Sequence, residues 1–141
     1  MSTKTDYGIP DIVLPLANGG TINPRDFNGH ELVVLFCPQD LAAAARELTD
    51  YNRHADRFAY NDAWIIAVCD DTEKMPASRI SAAADPELRA WRAFNEGQDP
   101  RAFPPREDGA VFLFGRGGCI TRIWRGTGHA NEVVKELGMR M

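Results

Sequence analysis

The sequence predicts a single α/β domain over residues 1–141, with a mixed central sheet, helices on both faces and a short hairpin near the N-terminus. Three observations lead there. Residues 31–37 and 63–69 are short continuous apolar runs, the pattern of central parallel strands buried on both faces. A stretch with helical periodicity separates them, as a right-handed βαβ unit requires. Near the C-terminus two further apolar runs flank a glycine-rich turn, which reads as a β-hairpin.

In chain order, residues 12–16 and 21–23 form the small N-terminal hairpin around Asn18, Gly19 and Gly20. The first strand, 31–37, follows. Residues 40–58 then place Leu41, Ala44, Ala45, Leu48, Tyr51, Asn52, Ala55 and Phe58 on one mostly apolar helical stripe, with Arg46, Glu47, Asp50, Arg53 and Asp56 outside it. After the strand 63–69, Asp85, Pro86 and Glu87 signal a helix start, an N-cap followed by proline at the first helical position. That helix turns Leu88, Trp91 and Phe94 inward and stops at Gly97. The loop to Asp108 is rich in proline and charge. Residues 109–114 and 119–124 make the hairpin, and the last helix, 130–137, has Val133, Val134 and Leu137 on one face with Gly138 as its stop.

Composition excludes several classes. With 44% apolar and 26% charged residues the chain can build a core, so it is not a disordered segment. No apolar run approaches a membrane span and the N-terminus lacks the apolar centre of a secretory signal, so a cytoplasmic location is expected. The net charge of −4 is interspersed, without the basic stripe of a nucleic-acid or lipid binder. Cys37, Cys69 and Cys119 show no Cys-x-x-Cys pair and His30, His54 and His129 are scattered, so no metal site is signalled and no cofactor is implied.

Several collinear segments resemble a known family. They are Gly8 to Asp11, Leu14 and Pro15, Gly20, Asp26 to Gly29, the strand Val33 to Phe36, and Cys37-Pro38-Gln39-Asp40-Leu41 in place of an aromatic-Pro-x-Asp-Phe stretch. Ala67 to Asp70, Ser81 to Asp85, Val111 to Phe114 and Gly118 to Ile120 continue the match. Together they resemble the peroxiredoxins, the alkyl hydroperoxide reductase and thiol-specific antioxidant group, which implies a thioredoxin-like fold and a homodimer. Where that family carries Thr-Pro-Gly-Cys this chain has Ala42, Ala43, Ala44 and Ala45. The family's arginine falls on Gly109, and the fold's usual cis-proline on Ala110. The resemblance therefore implies a relative without the peroxidatic cysteine, its threonine or its arginine.

Two functional expectations result. In the first, a partner or small anionic ligand occupies the former active site, lined by Pro38, Asp40, Ala42, Ala45 and Ala110, where a helix N-terminus favours an anion. In the second, the chain is a thiol oxidoreductase acting on peroxide or a disulfide through a displaced Cys37, with Cys69 on the neighbouring strand as its partner. Cys37 closes an apolar run, and a buried cysteine behaving as a small hydrophobe is the bland alternative. Asp70 and Asp71 read as a solvated strand end or as a cap for residues 72–75, with cation binding or base chemistry the sharper option. Arg106 and Arg116 read as exposed loop arginines rather than anion contacts. Trp64, Trp91 and Trp124 read as core or interface.

Overall fold

The computed structural model describes residues 8–70, 80–96 and 105–138. Five strands form the central sheet, in the order β5-β4-β3-β6-β7. They are β3 (Glu31–Phe36), β4 (Ala63–Cys69), β5 (Ser81–Ala84), β6 (Ala110–Phe114) and β7 (Ile120–Arg125), while β1 (Leu14–Pro15) and β2 (Thr21–Ile22) pair separately as the small N-terminal hairpin. β3, β4 and β5 run parallel, and β6 and β7 are antiparallel to their neighbours. The mixed sheet expected from the sequence is therefore present. β5 is mostly alanine, which carries almost no strand signal.

Alternation along β3 divides the core in two. Val33, Leu35 and Cys37 face α1 (Leu41–Asn52), α2 (Ala55–Tyr60) and α4 (Ala130–Glu136), where Ala44, Leu48, Tyr51, Phe58, Val133 and Val134 close over them. Leu32, Val34 and Phe36 face the other way, against α3 (Arg89–Asn95) and the N-terminal segment. There Phe36 meets Trp91, Phe94 and Phe112 edge-on, with ring centroids 5.0, 5.3 and 5.6 Å away. Such edge-to-face contacts align the ring quadrupoles favourably and add to the burial of the rings.

Two helices depart from their expected bounds. The stretch 40–58 is two helices rather than one. His54 N–H bonds the Tyr51 carbonyl, a tight three-residue closure, and Asn52 Nδ2 donates to the Leu48 carbonyl, so α1 ends and α2 restarts after His54. The helix announced by Asp85 and Pro86 begins later: Pro86–Leu88 is a single 3-10 turn, with Glu87 and Leu88 both at φ 57°, before α3 starts at Arg89. Asp85 still caps it. Its carboxylate reaches past that turn to accept from Ala90 N–H at 2.7 Å and Trp91 N–H at 3.0 Å.

The C-terminal helix ends as expected, with Gly138 at φ 63° after Leu137. Trp91 and Trp124 are buried, whereas Trp64 is half exposed at the start of β4 beside Phe27 and His30. Gly97, Asp71 and the expected cap at 72–75 lie outside the described residues. Among the described residues no helix is long and apolar enough to cross a membrane.

Because Asp85 is buried and satisfies two otherwise orphaned helix donors, Asp85→Ala is expected to lower stability by about 1–3 kcal/mol. Urea unfolding reads this as a reduced midpoint at unchanged slope. A midpoint equal to the native one would show that the cap contributes nothing.

Candidate thiol site

The parallel register of β3 with β4 pairs Phe36 with Val68, and the next residues along are Cys37 and Cys69. Cys37 N–H donates to the Val68 carbonyl at 2.9 Å, which extends the pairing by one step. The two side chains emerge on the same face and their sulfurs lie 3.0 Å apart, joined by a hydrogen bond and almost wholly buried. Neighbouring strands run roughly 4.8 Å apart, within the span of Cα separations that a disulfide bridges. Both cysteines are free thiols in this structure. The pairing expected from the strand order is therefore present as a contact.

Arg106 completes the site, and here the structure corrects the reading of it as an exposed loop residue. It is only 7% exposed. From a 3-10 turn, Arg106–Asp108, its Nη1 donates to the Cys37 carbonyl at 2.6 Å and its Nη2 to Asp70 Oδ1 at 2.5 Å. The guanidinium carbon lies 5.7 Å from the ring centroids of both Phe36 and Trp91. Asp70 is thus an ion-pair partner. Arg116, by contrast, is largely exposed, 4.0 Å from Glu31.

Gly109 ends the 3-10 turn that carries Arg106. That glycine has φ 82°, and a Cβ there would lie 2.7 Å from the Phe36 carbonyl oxygen and 3.1 Å from Pro38 N. No arginine side chain fits at position 109. Arg106 delivers the guanidinium from three residues earlier, while Gln39 N–H donates to the Glu107 carbonyl and ties the loop to the end of β3.

The electrostatics divide the two thiols. The hydrogen bond with Cys69 pushes the Cys37 thiol far up, and burial adds to this. The same hydrogen bond brings Cys69 down, helped by the Arg106 guanidinium against the opposing effect of burial. One hydrogen bond links the two sulfurs, so loss of a proton from either thiol is tied to the other. The Arg106 guanidinium lowers both thiols.

On the α1 side of the sheet the core holds buried polar groups, among them Glu47, which the sequence reading put outside the helix stripe. Glu47 is 3% exposed; its Oε1 accepts from Gly128 N–H at 2.8 Å and its Oε2 has no partner. The Tyr51 hydroxyl and Trp124 Nε1 are also buried without partners. Burial raises the Glu47 carboxyl, Asp50 adds to the rise, and Gly128 N–H and His129 oppose it. Burial, then Glu47, pushes the Tyr51 hydroxyl far up.

The residues expected to line a ligand site do not share one surface. Asp40 is exposed and its carboxylate accepts from Ala43 N–H at 2.9 Å, so the first turn of α1 already holds an anion of its own. Ala42 is exposed and Ala45 half-buried, whereas Pro38 and Ala110 are buried, Ala110 in register with Phe36. Cys119 is exposed on the far hairpin. Among the described residues no group of three or more histidine, cysteine or acidic side chains could hold a metal ion.

Two variants test these assignments. Arg106→Leu should raise the pH midpoint for alkylation of Cys69, since the guanidinium that favours its thiolate is gone; an unchanged midpoint would remove Arg106 from the electrostatics. For Glu47 the sign follows from its raised folded-state value: its favourable contribution is complete below the usual carboxylate range and is lost as pH rises through the raised value. Glu47→Gln retains the bond to Gly128 without a titrating group. Native minus variant stability, followed by urea unfolding, should therefore decrease from about pH 4 to pH 7, and a flat difference would contradict the buried acid.

The sequence profile of the AhpC/TSA family matches residues 6–100. None of the curated proteins matches the sequence significantly. Among solved structures, a cysteine-to-serine variant of Xanthomonas campestris peroxiredoxin Q superposes with a TM-score of 0.76 at 22% identity, over 91% of this chain and 90% of its own. A similar variant of Xylella fastidiosa PrxQ gives 0.76 at 19% identity, over 92% and 89%. A Chlorobium tepidum protein described as a thiol:disulfide interchange protein DsbE gives 0.70 at 18% identity, over 92% of each chain. These likenesses carry the thioredoxin-like fold. With the family profile extending over more than half its length, the chain belongs to the AhpC/TSA family.

Proposed function

We propose that this chain is a thiol-dependent redox protein in which Cys37 and Cys69 cycle between dithiol and disulfide, oxidised by a small hydroperoxide and restored by an external dithiol. The observation that carries this reading is the pair of sulfurs 3.0 Å apart with a buried guanidinium against the end of the same strand. Membership of the AhpC/TSA family and the thiol chemistry named for the similar structures support it. Near-complete burial of both sulfurs favours an oxidant the size of hydrogen peroxide over a protein disulfide.

The chemistry balances in three steps. The Cys69 thiolate attacks the peroxide, the O–O bond breaks, and the departing alkoxide or hydroxide takes a proton from water, leaving Cys69 as a sulfenic acid. The Cys37 sulfur then attacks the Cys69 sulfur, the S–O bond breaks, and one water leaves with the Cys37 proton. An external dithiol reduces the disulfide, supplying two electrons and two protons and becoming a disulfide itself. Arg106 lowers the barrier to the first step by favouring the Cys69 thiolate.

A second reading retains the implied loss of the peroxidatic residues and places a protein partner or small ligand at the N-terminal end of α1, around Asp40, Ala42 and Ala45. Exposed Leu41 beside them favours it.

Intact mass after mild hydrogen peroxide with a sulfenic-acid trap separates the two, in a Cys119→Ser background that removes the exposed thiol. The redox reading expects loss of two hydrogens in the parent protein, a trapped adduct on Cys69 in Cys37→Ser, and oxidation slower by roughly tenfold or more in Cys69→Ser. Thiols that stay unmodified in the parent protein would sink it and leave the ligand reading.

A further inference from the structure

We infer that Asp70 is a positioning residue for the Cys37–Cys69 disulfide: acting through the guanidinium fork of Arg106, it ties together the two strand ends that carry the sulfurs. The inference rests on the redox reading of that pair.

The need for a tie follows from where the cysteines stand. Cys37 lies one residue beyond β3 and Cys69 is the last residue of β4, so both sulfurs sit at the end of the sheet, where strands are freest to splay. A disulfide tolerates only a narrow range of Cα separations and side-chain directions, so sideways drift of either strand end works against the bond.

Arg106 supplies the tie. Its Nη1 donates to the Cys37 carbonyl at 2.6 Å and its Nη2 to Oδ1 of Asp70, the residue after Cys69, at 2.5 Å. One planar group thereby spans the two strand ends. Both backbone polar groups of Cys37 are held, the N–H by the Val68 carbonyl and the carbonyl by Arg106. On the other strand, Cys69 is in register with Ala84 of β5 and the fork grips the next residue.

The guanidinium is itself fixed in place. Gln39 N–H donates to the Glu107 carbonyl at 3.0 Å and ties its loop to the end of β3, and the rings of Phe36 and Trp91 lie 5.7 Å from its central carbon. Those rings belong to the face of the sheet opposite the sulfurs, so the fork holds the strand ends without displacing the packing around the thiols. The task requires a fork and not merely a charge. A guanidinium presents its donors in one rigid plane and serves two acceptors at set positions, whereas an ammonium is a point charge on a flexible stem.

Loss of the tie frees the strand ends in the dithiol form, while in the disulfide form the covalent bond still holds them. The dithiol form gains conformational entropy that the disulfide form does not, and the disulfide becomes easier to reduce. A loss of stability shared by both forms cancels and leaves the potential where it was.

Equilibration of the Cys119→Ser protein with oxidised and reduced dithiothreitol reads that potential, the disulfide fraction being counted by intact mass after acid quench and alkylation. In the exchange the protein dithiol gives two electrons and two protons to the reagent disulfide, which becomes a dithiol. The Asp70 side chain is 36% exposed, so its removal leaves no cavity. Asp70→Ala should lower the equilibrium constant for disulfide formation about tenfold, a midpoint about 30 mV less negative. Arg106→Lys, which keeps the cation without the fork, should move it as far. Asp70→Asn, which keeps an acceptor oxygen without the charge, should stay within about twofold of the native constant. A native midpoint in Asp70→Ala or in Arg106→Lys overturns the inference and leaves the redox reading standing, and either variant decides alone if the other does not fold. A midpoint in Asp70→Asn displaced as far as in Asp70→Ala also overturns it, since charge rather than position would then be the cause. Absence of any Cys37–Cys69 disulfide in the parent protein overturns both the inference and the redox reading.

Discussion

The parallel register between β3 and β4 is the constraint on which the site depends. Because side chains alternate along a strand, fixing Phe36 against Val68 fixes the face and the height at which Cys37 and Cys69 emerge. A slip of one residue in either strand would turn one sulfur into the aromatic layer around Phe36 and leave the other against α1. The register is held by burial on both faces: the aliphatic run of β3 packs under α1 and α4 on one side and under α3 on the other. Apolar surface removed from water on two sides penalises every misaligned pairing.

A guanidinium buried beside that strand end would be costly alone, and its partners explain why it is tolerated. The Cys37 carbonyl and the Asp70 carboxylate accept from it, and two aromatic rings, Phe36 and Trp91, lie within reach of its charge. The loop that brings it is shaped by Gly109, whose backbone passes so close to Phe36 and Pro38 that any side chain would collide. The charge favours the thiolate of either sulfur, and the hydrogen bond between them ties their protons together.

Beneath the thiols, the α1 face carries polar atoms in a setting that ordinarily excludes them. Glu47, Tyr51 and Trp124 each leave one polar atom buried without a partner, a costly arrangement if it served packing alone. Helical periodicity had placed Glu47 outside the apolar stripe of α1. The docking of the segment before α4 covers that flank, turning an amphipathic boundary residue into an interior one through the bond from Gly128.

Much of the fold is legible in the sequence because it rests on short-range pattern. The runs 31–37 and 63–69 could only be buried strands, the glycine turn after Phe114 could only return the chain, and Asp85 announced a cap that the structure retains even though α3 begins a turn late. Collinear motifs added the family, and with it the strand order that makes Cys37 and Cys69 neighbours. What the sequence by itself determined, then, is most of the elements and the pairing of β3 with β4 and of β6 with β7, while the alanine strand β5 and the break between α1 and α2 carried no signal. Only the tertiary structure decided that Arg106 is buried, that Glu47 lies inside, and that the Cys37 and Cys69 sulfurs share a hydrogen bond beside a guanidinium. The reason is physical: periodicity reports which face of an element is apolar, whereas charge placement and proton affinity depend on contacts between residues far apart in the chain, such as Arg106 with Cys37 and Gly128 with Glu47.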